Sequence, residues 1–551
     1  MKRLFLLFFI VAACSFSSAQ QQYRKPVRPT KNVILMIPDG TSIGVISAAR
    51  WYQIYNQLGG ENLAIDPYIC GTVKTFSLNA PIGDSAPTTS CYMTGVPQRA
   101  GNVATYPLVD PKNDLVELDS TMSYQPLVTI LEAMKYEQKK ATGLVVTVEF
   151  PHATPADCSS HYYDRNKYEY LAPQIAYNNL DVVFGGGNAY VSTDMKQHFQ
   201  TNGTKFIQND IETFRAFDGD EKIWALFADK YIPFDLDSDT TQIPTLAEMT
   251  KKAIDRLSKN ENGFFLMVEG SKVDYAAHGN DAVGCITEYL AFDKAVAVAL
   301  EFAKTNGETT IVVVPDHGNS GFTIGNRELQ NYNKATLHDL FGNVSKYKRT
   351  SEGLEKMLLK ADSSEFRGIF KTYTDIDLTN AERDLLVRSK DYKENDYMKV
   401  SESENMVSNI VKIMNSRTHF GFTSGGHTGE EVFLAVYHPQ GDMPVGMNTN
   451  VELSQYLFDV AGLKTPLPTL TKELFAKHTD VFQGMKYSID KSGDMPTLKV
   501  KNGKNTLTVP AFKSVVYLNK KPVYLNSVVV YIDKNDTFYL PADIIPYLSE
   551  K

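Results

Sequence analysis

Apolar residues in this chain gather in short, β-branched runs set between longer stretches of helical periodicity. Asn32 to Ile37 (NVILMI), Leu144 to Val148 (LVVTV), Asn179 to Phe184, Phe264 to Val268 (FFLMV), Thr309 to Val314 (TTIVVV) and Val432 to Tyr437 (VFLAVY) each read as a buried strand. Tyr124 to Lys139 has helical periodicity instead, with Leu127, Ile130, Leu131 and Met134 on one face. Near-continuous apolar strands alternating with helices predict an α/β fold with a mostly parallel central sheet flanked by helices on both faces. Such sheets bind ligands beyond the carboxyl ends of their strands. Asp39, His152, Glu269 with Asp274, and Asp316 with His317 all come soon after a predicted strand.

The pattern changes twice along the chain. Over 318–426 the periodicity weakens, and the charged stretches Lys346 to Lys360 and Thr379 to Lys393 read as solvated helices. This predicts an inserted cap region, within a main domain over 26–465, able to roof or flank the site. From Thr497 onward apolar and polar residues alternate between Asn-Gly and Lys-Asn-Asp turns, which predicts a small β-rich module over 490–551.

The N-terminus reads as a signal peptide over 1–19: basic Lys2 and Arg3, an apolar run from Leu4 to Ala13, then small residues. The run is too short to span a bilayer, and nothing else in the sequence is apolar enough. Cleavage after Ala19 would release a periplasmic or extracellular protein. Alternatively, Val11-Ala12-Ala13-Cys14 resembles a lipobox, which would anchor an outer-membrane lipoprotein through Cys14. Cleavage after Ala19 is the favoured route. Four cysteines then remain, Cys70, Cys91, Cys158 and Cys285; they allow three pairings, dictate none and lack zinc-type spacing.

With 43% hydrophobic and 22% charged residues the composition is that of a globular protein, and the net charge is −8. No basic stripe is present, which argues against nucleic-acid binding. An anionic substrate would have to be attracted by metal ions or a few placed cations.

The stretch PIGDSAPTTSCYMTG, Pro81 to Gly95, is expected to begin a helix capped by Ser85, with Pro87 in its first turn. Unpaired amides and the helix dipole favour an anion there. Asp274 and His278 are one helical turn apart, and Asp316 and His317 adjoin after a strand. Three histidines (His278, His317, His427) among carboxylates suit zinc; Asp39, Glu269 and the Thr154 hydroxyl suit magnesium. Two metals about 4 Å apart would clamp the attacking and leaving oxygens of an in-line displacement and activate Ser85. His427 departs from the pattern, because it precedes its strand.

The stretches ILMIPDG, GDSAPTTSCYMTGV, PHATPADCSSHYYDR, DVVFGGG, GFFLMVEGSKVDYAAH, VVVPDHG and GGHTGE together resemble the secreted alkaline phosphatase family, in the family's order, from Asn32 to Tyr437. The resemblance implies hydrolysis of phosphate monoesters through a phosphoserine at Ser85, with two zinc ions and one magnesium ion. Asp274, His278 and His427 match the ligands of the first zinc, and Asp39, Asp316 and His317 those of the second, which also holds the Ser85 oxygen. Asp39, Thr154 and Glu269 match the magnesium site, and Arg165 matches the arginine that grips phosphoryl oxygens. His152 stands where some bacterial members have Asp, and is expected to act on the magnesium site through water. Tyr275 stands where well-known bacterial members carry Lys.

Relatives that cleave phosphodiesters or phosphonates share the two-zinc core but usually lack the magnesium set. A sulfatase is disfavoured because Ser85 has no Cys-x-Pro-x-Arg setting. A non-catalytic phosphate- or metal-binding surface protein is disfavoured by the complete ligand set. A homodimer is common in the family.

Overall fold

The computed structural model describes residues 26–392 and 396–549, so the signal segment and Cys14 lie outside the described residues. Ten strands form one mixed sheet. Asn32–Ile37 lies near its middle, parallel to Phe264–Glu269 on one side and Thr309–Val313 on the other. All six of its residues are buried, as expected of a strand covered on both faces. Beyond Phe264–Glu269 follow Ala141–Glu149, Val182–Gly186, Ile223–Leu226 and Lys205–Gln208, all parallel. Beyond Thr309–Val313 come Val432–Tyr437, Ile69–Lys74 and the edge strand Gly446–Thr449. Only Val432–Tyr437 runs against both its neighbours.

Helices cover the sheet in two groups. Ala282–Asn306 packs with Ile43–Asn56 and Leu246–Leu257, while Ser85–Thr94 packs with Ala153–Ser159 and Asn450–Ala461. Central side chains such as Leu35 and Met267 have no exposure, so truncating one to Ala would cost about 2–5 kcal/mol. Ile37 sits opposite Glu269, and Met36 opposite Val313. The chain therefore leaves the three central strands at one level, and Asp39, Glu269 and Asp316 emerge together.

Several expectations need correction. The helix predicted over Tyr124 to Lys139 is confined to Ile130–Gln138. Thr129 caps it in a reciprocal capping box with Glu132, which stops the helix short of Leu127. The charged stretches of the insertion are helical over Ser351–Lys360 and Asn380–Arg388, but solvated on one side only: Leu354, Leu358 and Leu386 are fully buried. Near the C-terminus, β structure begins at Ala476, ahead of Thr497. A three-stranded sheet joins Ala476–Lys477, Thr537–Leu540 and Val530–Ile532. A five-stranded antiparallel meander runs from Lys486 to Tyr524. Among the described residues no helix is long and apolar enough to cross a membrane, and Cys70, Cys91, Cys158 and Cys285 are unpaired.

Candidate active site

Ser85 is not the helix cap. Asp84 is, in extended conformation, with its Oδ1 accepting from the Ser85 amide at 2.9 Å; Ser85 is the first helical residue of Ser85–Thr94. Because Asp84 takes the capping role, the Ser85 hydroxyl is free to turn inward. Its Oγ, on a residue 2% exposed, lies 3.4 and 3.5 Å from the Asp39 carboxylate oxygens and 3.4 Å from His317 Nε2.

Side chains that could hold cations crowd around it. Asp274, His278 and His427 form one cluster, Asp39, Asp316 and His317 a second, and Asp39, His152 and Glu269 a third. Asp84 also falls into a group with His317 and His427. Asp39 is shared by two clusters because it leaves the middle strand between them. The next residue, Gly40, has φ +59° and donates its N–H to Asp316 Oδ1 at 3.0 Å. A Cβ there would come within 2.2 Å of Asp274 Oδ1, so only glycine lets these carboxylates approach.

The histidines are oriented by the backbone. His278 Nδ1 lies 2.7 Å from the Gly425 carbonyl, His427 Nδ1 3.0 Å from Gly83, and His317 Nδ1 3.1 Å from Gly318. A carbonyl can only accept, so each Nδ1 carries a proton and Nε2 is the nitrogen left to face the site. His278 Nε2 and His427 Nε2 lie 3.1 Å apart, facing each other across the first cluster. Both carboxylate oxygens of Glu269, Asp316 Oδ2 and the Thr154 hydroxyl are buried with no hydrogen-bond partner among the described residues. Imidazole nitrogens with carboxylates in all three clusters, and the Thr154 hydroxyl left without a partner, are donor groups that fit divalent cations.

The electrostatics point the same way. Burial, then the charges of Asp316 and Asp274, holds the Asp39 carboxyl well above its ordinary range. Burial and Asp316 push Glu269 up to about 8. Burial would also raise Asp274, but the positive charge of His278, His427 and His317 when protonated outweighs it and holds that carboxyl below its ordinary value. Four carboxylates this close repel one another unless protons or cations intervene.

Arg165 Nη1 donates to Asp84 Oδ1 at 2.8 Å, and Nη2 donates to His152 Nε2 at 3.2 Å. Burial and Arg165 depress the His152 imidazole to about 3, so it is neutral and accepts. A cavity of about 1090 Å³ opens onto Asp84, Arg165, His152, His278 and His427. The inserted region lines it with Tyr397, whose ring stacks on Tyr275 (centroids 4.0 Å) and meets His278 edge-on at 5.5 Å.

A family model described as alkaline phosphatase matches residues 30–463. Alkaline phosphatase 3 of Bacillus subtilis (strain 168) is 31% identical over 457 residues, covering 80% of this chain and 91% of that protein. The chain belongs to the alkaline phosphatase family. As an alkaline phosphatase it is an enzyme, and solved structures of that name share its fold. The Thermus thermophilus alkaline phosphatase superposes with a TM-score of 0.69 at 24% identity, over 81% of this chain and 94% of its own. A cold-active alkaline phosphatase from Shewanella sp. does so with a TM-score of 0.66 at 25% identity, over 78% and 99%.

All nine residues expected to bind metal or carry the phosphoryl group, with Arg165 and His152, lie at this one edge of the alkaline phosphatase sheet. The other histidines (His161, His198, His338, His419, His438 and His478) join none of the clusters among the described residues. Sequence reasoning missed three members. Asp84 has a signal, as the residue before the expected cap. Asn319, which donates to Asp274 Oδ1 at 2.7 Å, follows the Asp-His pair closely. Tyr397, in a charged stretch without periodicity, has no sequence signal.

Proposed function

We propose that this enzyme hydrolyses phosphate monoesters to an alcohol and inorganic phosphate through a phosphoserine at Ser85. The observation that carries the reading is that three backbone-oriented histidines and four buried carboxylates gather in adjoining clusters, one of which meets the Ser85 hydroxyl through Asp39 and His317. Asp274, His278 and His427 would hold one zinc; Asp39, Asp316 and His317, with the Ser85 oxygen, a second; Asp39, Thr154 and Glu269 would hold magnesium, with His152 acting from outside. Bound divalent cations supply Lewis acidity, lowering the pKa of a hydroxyl or water and neutralising phosphoryl charge.

The chain's own groups account for the rest. Arg165 offers a planar fork of donors to two phosphate oxygens, and Asp84 keeps that fork aimed at the start of the Ser85 helix. Ser85 Oγ attacks phosphorus in line, the bond to the alcohol oxygen breaks, and the phosphoserine forms beside the amides of its own helix. Water then cleaves the phosphoserine and regenerates Ser85. The charge is met by fixed groups that need no reorganisation, as phosphoryl transfer requires. Tyr275, in place of the Lys of some relatives, puts a ring rather than a charge beneath Tyr397. The N-terminal signal pattern supports an exported enzyme, periplasmic or extracellular.

Ser85→Ala should reduce turnover of an aryl phosphate by about 10³-fold or more while bound metal, measured by elemental analysis, is retained. Unchanged activity would overturn the nucleophile. Faster turnover of the corresponding methyl aryl diester by the unaltered enzyme would overturn the monoester reading.

A further inference from the structure

The family match ends at residue 463, yet the chain beyond it reaches back to the segment that carries Arg165. Tyr162 and Tyr163 both donate to the same oxygen, Asp533 Oδ1, at 2.9 and 2.7 Å. Side chains of adjacent residues in an extended chain point apart. Here the two rings stack with centroids 4.5 Å apart and their hydroxyls converge, as the chain bends at Tyr163. Lys534 Nζ lies 5.4 Å over the ring of Tyr163.

A second contact comes from Phe512, which is buried and has φ +62°, a costly conformation for a bulky side chain. Its ring stacks on Tyr170 at 4.7 Å and meets Tyr162 edge-on at 6.1 Å. Ser514 Oγ donates to the Tyr177 carbonyl at 2.7 Å. Toward the pocket, Tyr162 exchanges backbone hydrogen bonds with Val103, and the Arg165 amide donates to the Gly101 carbonyl at 2.8 Å. Residues 162–165 are thus pinched between the pocket wall and the C-terminal β region.

We propose that this C-terminal region positions Arg165, with Asp533 and Phe512 as positioning residues that fix Tyr162 and Tyr163 and so aim the guanidinium. The proposal rests on Arg165 being the group that binds phosphate. Losing the clamp loosens the backbone that carries the arginine, so Asp84 and His152 hold its tip less exactly and the phosphate-bound states weaken while the metal clusters stay intact.

The test measures inhibition of the metal-loaded enzyme by inorganic phosphate, with KM and kcat for an aryl phosphate. Asp533→Ala should raise the phosphate Ki and KM roughly three- to tenfold, a misplaced-group effect, with kcat moving less and Tm and metal content unchanged. Asp533→Asn, which keeps an acceptor, should retain most of the affinity. In an Arg165→Ala background Asp533→Ala should add nothing. Should Asp533→Ala fail to fold, Tyr163→Phe, which removes one donor and keeps the ring, should raise Ki by a smaller factor. An unchanged Ki in Asp533→Ala while Arg165→Ala raises it, or the same factor in both backgrounds, would overturn the clamp. If Arg165→Ala leaves Ki unchanged, the phosphate-binding role of Arg165 itself fails, and the clamp with it.

Discussion

The carboxyl edge of the ten-stranded sheet and the five-stranded sheet near the C-terminus bury side chains by opposite rules. In the small sheet Leu498, Val500, Leu507 and Val509 point inward with no exposure, while Lys499 and Lys501 face water. That is the pattern of a sheet with one wet face, and every buried group there is content without a ligand. At the edge of the large sheet Asp39, Glu269, Asp274, Asp316, His278 and His317 are as deeply buried, and several of their polar atoms have no hydrogen-bond partner among the described residues. Burying a charge that is neither paired nor hydrogen-bonded is expensive. The contrast shows that depth alone does not distinguish stability from chemistry; what distinguishes them is whether the buried atoms satisfy one another.

Removing metal should sharpen the contrast most. Glu269 holds its proton to about pH 8 in the cation-free fold but releases it near pH 4.5 when unfolded. The folded state therefore binds more protons over that range, and the stability of chelated protein should fall as pH rises from about 4.5 through about 8. Asp39 and Asp316, also raised chiefly by burial, act in the same direction. Cations would replace those protons, so metal-loaded protein should keep its Tm across the range. A chelated Tm that rises with pH would break the comparison.

Next in size, Leu507→Ala should cost about 2–5 kcal/mol in the small sheet, read by denaturant unfolding, with metal content unchanged. A loss of bound metal there would mean that the two regions share one energetic unit. Smallest of all, Lys499→Ala removes an exposed ion pair with Asp490 at 2.9 Å and should shift stability by less than about 1 kcal/mol.

The core strands were legible because burial on both faces leaves a run of apolar residues that nothing else produces. Asn32–Ile37 and Val432–Tyr437 have the limits expected of them. Ile69–Lys74, Lys205–Gln208, Ile223–Leu226 and Gly446–Thr449 went unseen, three of them only four residues long. Ile223–Leu226 is wholly buried but too short to stand out as a run, whereas pairing at the exposed margin is made by backbone, which side-chain pattern does not report. Ser85 was legible as a helix start, but the cap belongs to Asp84, since Asp and Ser are both good caps and one residue decides which φ is helical.

By itself the sequence determined which metal-type side chains gather at one place, because those that follow apolar strands must emerge at one edge of a parallel sheet. It also determined the turn that sets Asp274 beside His278. Only the tertiary structure decided why His427, which precedes its strand, belongs with them. Val432–Tyr437 runs antiparallel to its neighbours, so its beginning lies where the other strands end. His427–Thr428 then pairs with Gly318–Asn319, beside His317. Strand direction, the reach of Tyr397 from the insertion and that of Asp533 from the far end of the chain are set by contacts between segments distant in sequence, and no local pattern encodes them.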